Sequence, residues 1–218
     1  MAARRTRSAP KKARPKPIAT DPDNAQTWLY LNPMGPNASG LVYGVLRTNY
    51  ADRTNTATAF GAKKCLPVAP DPAASPSEWP VTAERVEVIL PPMADDRLAD
   101  PATLLHEMDA STLPRQKALL TYLTLPLPDA SRLHYGWERC RAFVRQHVVV
   151  ERQLAAILVL HSPGKVNSAN SLHCHVLIVP RRLAGLPLKH GPFDEELTRD
   201  GGQGLIERLW AEHVATFR

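Results

Sequence analysis

The sequence predicts an α+β fold, an antiparallel sheet with helices packed on one face, and three observations lead to this prediction. Short apolar runs indicate strands at 118–125, 156–160 and 171–179. Apolar residues spaced three and four apart indicate helices at about 129–149 and near the carboxyl terminus. Turn-rich segments separate these elements. Because 44% of the 218 residues are hydrophobic, the chain can bury a core of its own.

The first half of the chain gives the weaker signals. Residues 27–31 are typical of a strand that Asn32–Pro33 ends. Residues 40–59 fit either a helix from Leu41 through Tyr50 or an irregular hairpin, and the sequence leaves both open. Five prolines between 67 and 80 predict a surface loop. A strand at 86–90 and a helix at 101–109, with Pro101 in its first turn, complete this half.

The second half is more regular. The strand at 118–125 ends at Pro126, and Asp129 is a candidate cap for the helix that runs to about Val149. Gly201–Gly202 should break the chain before the last helix. Each helix has one apolar stripe, formed by Leu133, Trp137, Cys140, Val144 and Val148 in the first and by Leu205, Leu209, Trp210, Val214 and Phe217 in the last.

The net charge of +6 is concentrated in an amino-terminal tail. Residues 1–17 hold seven basic residues and no acidic one, so the remainder of the chain carries a net charge of −1. The tail is also rich in Pro and Ala, a composition that does not bury a core. We therefore predict a disordered basic tail over 1–25 and a single domain over 26–218.

Cysteine usage and hydropathy indicate a cytoplasmic protein. Cys65, Cys140 and Cys174 are odd in number and have no C-x-x-C spacing, which is typical of a reducing compartment. The longest strongly apolar run, 154–160, is too short to cross a bilayer, so no membrane partner is expected. The basic start is followed by Pro, Lys and Asp, unlike a secretory signal. No Walker sequence is present, and we expect no nucleotide cofactor.

His173 and His175 are the most informative residues. They lie one residue apart at the start of a strand-like run, so their side chains should share one face of a sheet. His161 ends the preceding strand-like run, and an antiparallel hairpin would bring it beside the pair. Three convergent imidazoles form a metal site with positions left for substrate. Two half-exposed histidines on a sheet face are the alternative interpretation of the pair alone.

The order of these elements resembles that of the MobA/MobL-type plasmid relaxases, which belong to the HUH endonucleases. The resemblance covers roughly residues 84–218 and implies a HUH relaxase-like sandwich. It is weak over residues 26–70. The residues that carry it are Leu125–Pro126, Phe143–Val144, Leu160–His161, the segment 170–178 with Arg181–Arg182 behind it, and Leu209–Trp210–Ala211–Glu212–His213 in the last helix.

The resemblance implies a function in conjugative plasmid mobilisation. Such relaxases cut one strand of DNA at a transfer origin and remain attached to the 5′ phosphate through a tyrosine. The implied partners are single-stranded origin DNA and other relaxosome proteins. The implied cofactor is Mg²⁺ or Mn²⁺ at His161, His173 and His175. Imidazole ligands alone would favour Zn²⁺, Cu²⁺ or Ni²⁺.

The resemblance also implies a tyrosine nucleophile. The family's tyrosine lies in an amino-terminal helix, whose best counterpart here is the segment 39–53. The spacing from Gly40 favours Tyr50 as the nucleophile, with Tyr43 second. A phenol is a weak nucleophile at neutral pH, so it would need the metal or a base. An ordinary core or rim aromatic is the alternative role for each tyrosine.

Several basic residues are candidates for DNA contacts. Arg181 and Arg182 follow the H-x-H strand and could hold phosphates, with solvated strand-end charge as the alternative. The tail cations should bind DNA without sequence preference, or else serve for solubility or partner docking. These tail cations are Arg4, Arg5, Arg7, Lys11, Lys12, Arg14 and Lys16.

Three functions therefore compete at the level of sequence. The first is a metal-dependent DNA nicking and rejoining enzyme of the relaxase type. The second is a DNA-binding or replication accessory protein of the same fold without the nucleophile. The third is an unrelated three-histidine metallohydrolase. A covalent protein–DNA adduct would separate the first from the other two.

Overall fold

The computed structural model describes residues 19–31, 40–68, 82–128, 130, 132–162 and 171–217. Within them, six strands form one antiparallel sheet, two short strands form a separate hairpin, and there are four α-helices, which confirms the α+β class. The strands are β1 Leu29–Leu31, β2 Val42–Arg47, β3 Asn49–Tyr50, β4 Arg53–Thr54, β5 Arg85–Ile89, β6 Ala118–Pro126, β7 Leu154–His161 and β8 His173–Arg182. The helices are α1 Ala57–Cys65, α2 Pro101–Ala110, α3 Leu133–Val144 and α4 Gly201–Thr216.

The main sheet has the strand order β1-β2-β6-β8-β7-β5, and each neighbouring pair is antiparallel. Strand β8 lies between β6 and β7, in the middle of the sheet. Nearly every residue of these three strands is buried. A strand that is covered on both faces has no side facing solvent, and this explains why the sequences of these strands are continuously apolar.

Helices cover both faces of this sheet, whereas the sequence indicated one. Helices α3 and α4 supply Trp137, Phe143 and Trp210 to one core. Helices α1 and α2 supply Phe60 and Leu104 to a second core on the opposite face. Helix α1 escapes detection in the sequence because Phe60 is its one large apolar side chain, so its nine residues carry no stripe.

Residues 40–59 form the irregular hairpin rather than the helix. Strand β2 pairs with β1 on one side and with β6 on the other. The small β3–β4 hairpin follows it directly, with Tyr50 paired to Arg53. Tyr50 is therefore a strand residue beside a tight turn and does not lie on a helix with Tyr43.

The observed bounds of the folded domain and of α3 differ from the predicted bounds in places. Thr20 donates a hydrogen bond to Asp52, and Trp28 Nε1 donates to the carbonyl of Asp21, so the chain joins the fold about five residues before the predicted boundary at 25. Helix α3 begins at Leu133, and Asp129, its predicted cap, lies outside the described residues. A wider helical turn, Arg145–Val150, continues α3 to the predicted end at about Val149.

Gly201 and Gly202 form the first turn of α4 instead of breaking the chain before it. A Cβ at Gly202 would overlap the Tyr43 hydroxyl and would lie 2.8 Å from the carbonyl of Glu196. Gly202 is therefore required by close packing rather than by a turn.

All three cysteines are free and buried. Among the described helices, none has the length and apolar character needed to cross a bilayer.

Candidate metal centre

Strand pairing brings the three histidines together on the face covered by α1 and α2. His161 of β7 is the direct antiparallel partner of His173 of β8, and His175 lies opposite Val159, two residues further along. The ring centroids of His161 and His175 are 4.4 Å apart, and those of His173 and His175 are 4.7 Å apart. One ring nitrogen from each lies within 4.8 Å of the others. The predicted convergence is confirmed.

Backbone carbonyls orient two of the imidazoles. His161 Nε2 donates to the carbonyl of Lys64 at 2.7 Å, and His173 Nδ1 donates to the carbonyl of Ser171 at 2.6 Å. These bonds fix the tautomer and leave Nδ1 of His161 and Nε2 of His173 as lone-pair donors. Such a bond on the second nitrogen is the usual arrangement of a metal-binding histidine.

A buried tyrosine and a threonine orient the third imidazole. His175 Nδ1 lies 2.6 Å from the hydroxyl of Tyr122 and 3.2 Å from that of Thr124. The Thr124 hydroxyl also donates to the Tyr122 oxygen at 2.9 Å. Nε2 of His175 is therefore the nitrogen left for a metal. Because the pairing of β6 with β8 creates these contacts, the sequence of either strand alone does not reveal them.

The environment keeps all three imidazoles neutral at pH 7. Burial lowers the pKa of His161 to about 4, and it also lowers the pKa of His173. His175 is 6% exposed, and burial holds its pKa well below the usual range. Neutral imidazole is the form that binds a metal, so the three histidines can bind one without first releasing protons.

Lys64 adds a buried positive charge beside the histidines. Its side chain, near the carboxyl end of α1, is largely buried, and its ammonium lies 4.9 Å from the centre of the Tyr122 ring. Burial lowers the pKa of Lys64 to about 8, which leaves it mostly charged at neutral pH. Its charge in turn lowers the pKa of each of the three histidines. No motif in the sequence points to Lys64, because the nine residues of α1 carry no apolar stripe.

The residues fit a divalent cation. Three neutral nitrogen donors are in place, and the group contains no carboxylate among the described residues. Imidazole donors suit Zn²⁺ and other transition metals, whereas Mg²⁺ prefers oxygen. The half-exposed rings of His161 and His173 leave one side of the site open to a ligand.

Neither predicted tyrosine nucleophile lies beside these histidines. Tyr43 belongs to the core under α3 and α4, on the opposite face, and its hydroxyl donates to the carbonyl of Leu197. Tyr50 follows the end of β2 where Arg47 pairs with Ala118, six residues along β6 from Thr124 at the histidine end. At about 3.4 Å per residue, Tyr50 and the histidines are separated by about 20 Å.

The predicted DNA-binding arginines are also distant from the histidines. Arg181 and Arg182 lie six and seven residues beyond His175 on β8. Arg181 is buried, and Arg182 forms an ion pair of 3.5 Å with Asp194. The seven tail cations lie outside the described residues.

Comparison with known proteins gives little further information. No protein-family profile and no curated protein matches the chain. A chain from a structural study described as "Molecular Basis of Vancomycin Resistance Transfer in Staphylococcus aureus" is similar in structure, with 17% identity and a TM-score of 0.46. The similarity covers 62% of this chain and 71% of that chain.

Proposed function

We propose that this protein is a metal-dependent enzyme that nicks single-stranded DNA, with its active site at His161, His173 and His175. The observation that carries the proposal is the set of three imidazoles, each with one nitrogen held by a protein oxygen and the other left for a metal. The resemblance in sequence order to MobA/MobL relaxases supports DNA as the substrate, and a plasmid transfer origin as its source.

The local charge supports a phosphodiester as the group that reacts. A divalent cation at the three imidazoles would act as a Lewis acid toward a phosphate oxygen and would lower the pKa of a nearby water molecule. Lys64 contributes a second positive charge, fixed by burial, to the same site. Two positive charges in a partly dehydrated site favour an anionic substrate and stabilise the additional charge of a transition state.

Water is proposed as the nucleophile. All five tyrosines of the chain are described, and four of them are remote from the histidines. Tyr50 lies at the far end of the sheet beside Tyr30, while Tyr43 and Tyr135 lie on the face of α3 and α4. Tyr122 is near, but its hydroxyl is fully buried, and burial raises its pKa. The covalent adduct expected from the resemblance is accordingly not part of the proposal.

The metal and the compartment are further parts of the proposal. Three nitrogen donors favour Zn²⁺ over Mg²⁺, which prefers oxygen ligands, and Mn²⁺ is supported by the resemblance to the relaxases. Three free, buried cysteines suit a reducing cytoplasm, where origin DNA and other relaxosome proteins would be met.

The test is cleavage of a labelled single-stranded oligonucleotide from the protein's own transfer origin, with Mn²⁺, Zn²⁺, Mg²⁺ or EDTA. We expect nicks with Mn²⁺ or Zn²⁺, no nicks in EDTA, and no protein attached to the product on a denaturing gel. His173→Ala should abolish cleavage, and His106→Ala, which alters an exposed histidine on α2, should not.

Other outcomes of this assay point to the competing functions. A product that migrates with the protein after denaturation would restore the covalent relaxase reaction. DNA binding without cleavage under any metal would favour the accessory protein, which the remote tyrosines also favour.

A further inference from the structure

A basic cavity lies at the opposite end of the sheet from the histidines. It has a volume of about 810 Å³ and is bounded by the ends of β2, β6 and β8 and by the start of α4. Five basic residues line it, compared with two acidic ones. The basic residues are Arg47, Arg115, Lys117, Arg181 and Arg199.

Arg181 is the central observation, because it is a buried charge without a counter-charge. It is 5% exposed. Its terminal nitrogens donate to the carbonyl of Gly191 and to the side-chain oxygen of Gln116, both of which are neutral, and Nε is buried with no partner. In the part of the chain that the structure describes, no carboxylate forms an ion pair with Arg181. A buried charge of this kind is costly unless an anion compensates it.

The acidic residues of the cavity do not provide that compensation. Glu195 forms an ion pair with Arg199, and Asp200 accepts a hydrogen bond of 3.4 Å from Tyr30. Arg115 and Lys117 are exposed at the mouth of the cavity, and the Arg47 guanidinium stacks on the ring of Tyr30. The cavity therefore retains an excess of positive charge.

Two further features define the chemistry of a ligand. The amino-terminal end of α4, at Gly201, also borders the cavity and adds the positive end of a sixteen-residue helix dipole. Phe193 and Leu113 give the cavity an apolar part, and its volume is in the range of small-molecule sites. A phosphate joined to a planar apolar group fits this combination.

We propose that this cavity binds a nucleotide through its phosphate, with Arg181 as the buried anchor and Arg115 and Lys117 at the entrance. The source is either a free nucleoside monophosphate or one unit of a DNA strand. Arg181 lies six residues beyond His175 along β8, which separates the two sites by about 20 Å, so this inference does not depend on the metal chemistry.

The experiment is calorimetric titration of the full chain, in EDTA and 150 mM salt, with thymidine 5′-monophosphate, thymidine and a dT trinucleotide. We expect binding of the phosphorylated probes and none of thymidine. The double variant Arg115→Gln/Lys117→Gln should weaken the Kd by about tenfold. The control Arg97→Gln, an exposed arginine on another surface, should leave the Kd unchanged.

Arg181→Met gives a second readout by thermal unfolding. With probe at ten times the Kd, the Tm of the natural chain should rise by about 3–6 °C, and that of the variant should not change. If Arg181→Met does not fold, the double variant decides. Equal affinity in the double variant and the control, or no binding of any phosphorylated probe, would overturn the proposal. Tighter binding of the trinucleotide than of the monophosphate would identify a strand as the ligand.

Discussion

In each histidine of the candidate centre, another residue holds one ring nitrogen and so orients the other toward the place of a metal. Ser171 and Lys64 do so with backbone carbonyls, which a substitution cannot remove. Tyr122 is different, because its side-chain hydroxyl holds His175. A substitution of Tyr122 therefore tests the orientation of the His175 ring while all three histidines remain.

We predict that Tyr122→Phe weakens metal affinity by about 10–100-fold while the three ligands remain. The variant also removes the Tyr122 hydroxyl as a buried partner of His175 and Thr124 and leaves only their mutual contact of 3.2 Å, which should cost about 1–3 kcal/mol of unfolding free energy. Metal titration and denaturant unfolding measure the two effects. Tyr135→Phe, on the other face, is the matched control, and equal metal affinity in both variants would refute the role of Tyr122.

The lowered histidine pKa values predict how the metal-free protein responds to acid. Unfolded His161 takes up a proton near pH 6.5, whereas in the fold its pKa is about 4, so the unfolded state binds more protons between these values. The contribution of neutral, buried His161 to the free energy of unfolding is present above pH 6.5 and is lost as the pH falls to 4. It is on the order of 3 kcal/mol for His161.

Urea unfolding in EDTA at pH 7, 5.5 and 4.5 tests this prediction. His161→Gln should lose less stability on acidification than the natural chain, and His106→Gln should lose as much. An equal decline in the free energy of unfolding of all three proteins would show that His161 does not contribute to the loss of stability in acid.

At the scale of elements, α1 is the helix that links the second core to the candidate metal centre. Phe60 packs edge-on against Tyr122, the Lys64 carbonyl holds His161, and the Lys64 ammonium supplies the charge. Asp109 of α2 fixes the start of α1 by accepting hydrogen bonds from the backbone of Ala57 and Thr58.

We predict that Lys64→Met retains the fold and the metal but slows DNA cleavage by about 10–100-fold, because the carbonyl remains and the charge is lost. Metal affinity should be unchanged or tighter, since a neighbouring cation has been removed. The matched control is Lys63→Met, whose side chain is 44% exposed and pairs with Asp23. Equal cleavage rates in the two variants would exclude Lys64 from the reaction.

The elements also show what a sequence can reveal about such a site. Strand alternation in the segment from His173 to His175, and a hairpin from His161, are sufficient to predict that the three imidazoles converge. The contact of Tyr122 with His175 and the distance from the histidines to Tyr50 depend on which strands are neighbours in the sheet. The position of Lys64 depends on how α1 packs on that sheet. These are non-local properties that no run of residues records. The segment 40–59 was ambiguous for the same reason, since β2 is defined by pairing with β1 and β6.

At the scale of the whole molecule, positive charge occurs in three separate regions. These are the histidine end of the sheet with Lys64, the cavity around Arg181 at the other end, and the tail of residues 1–17. The remainder of the chain carries a net negative charge, so contacts with DNA should be confined to these regions.

We predict that deletion of residues 1–17 lowers the salt dependence of DNA binding without changing base preference. Seven phosphate contacts on a single strand would give a change in log–log slope of about 5, and a flexible tail should realise about 2–4 of it. The deletion should stop before Thr20, which contacts Asp52. Salt titrations on two unrelated oligonucleotides measure the slope, and an unchanged slope would exclude the tail from DNA binding.

Calorimetric titration of Mn²⁺ and of Zn²⁺ into the metal-stripped protein tests the central claim most directly, because metal binding by three histidines precedes every proposed step. The natural chain and His106→Ala should each bind one ion, and His161→Ala, His173→Ala and His175→Ala should each lose that binding. Undiminished binding in any one of these three variants would contradict the three-histidine centre.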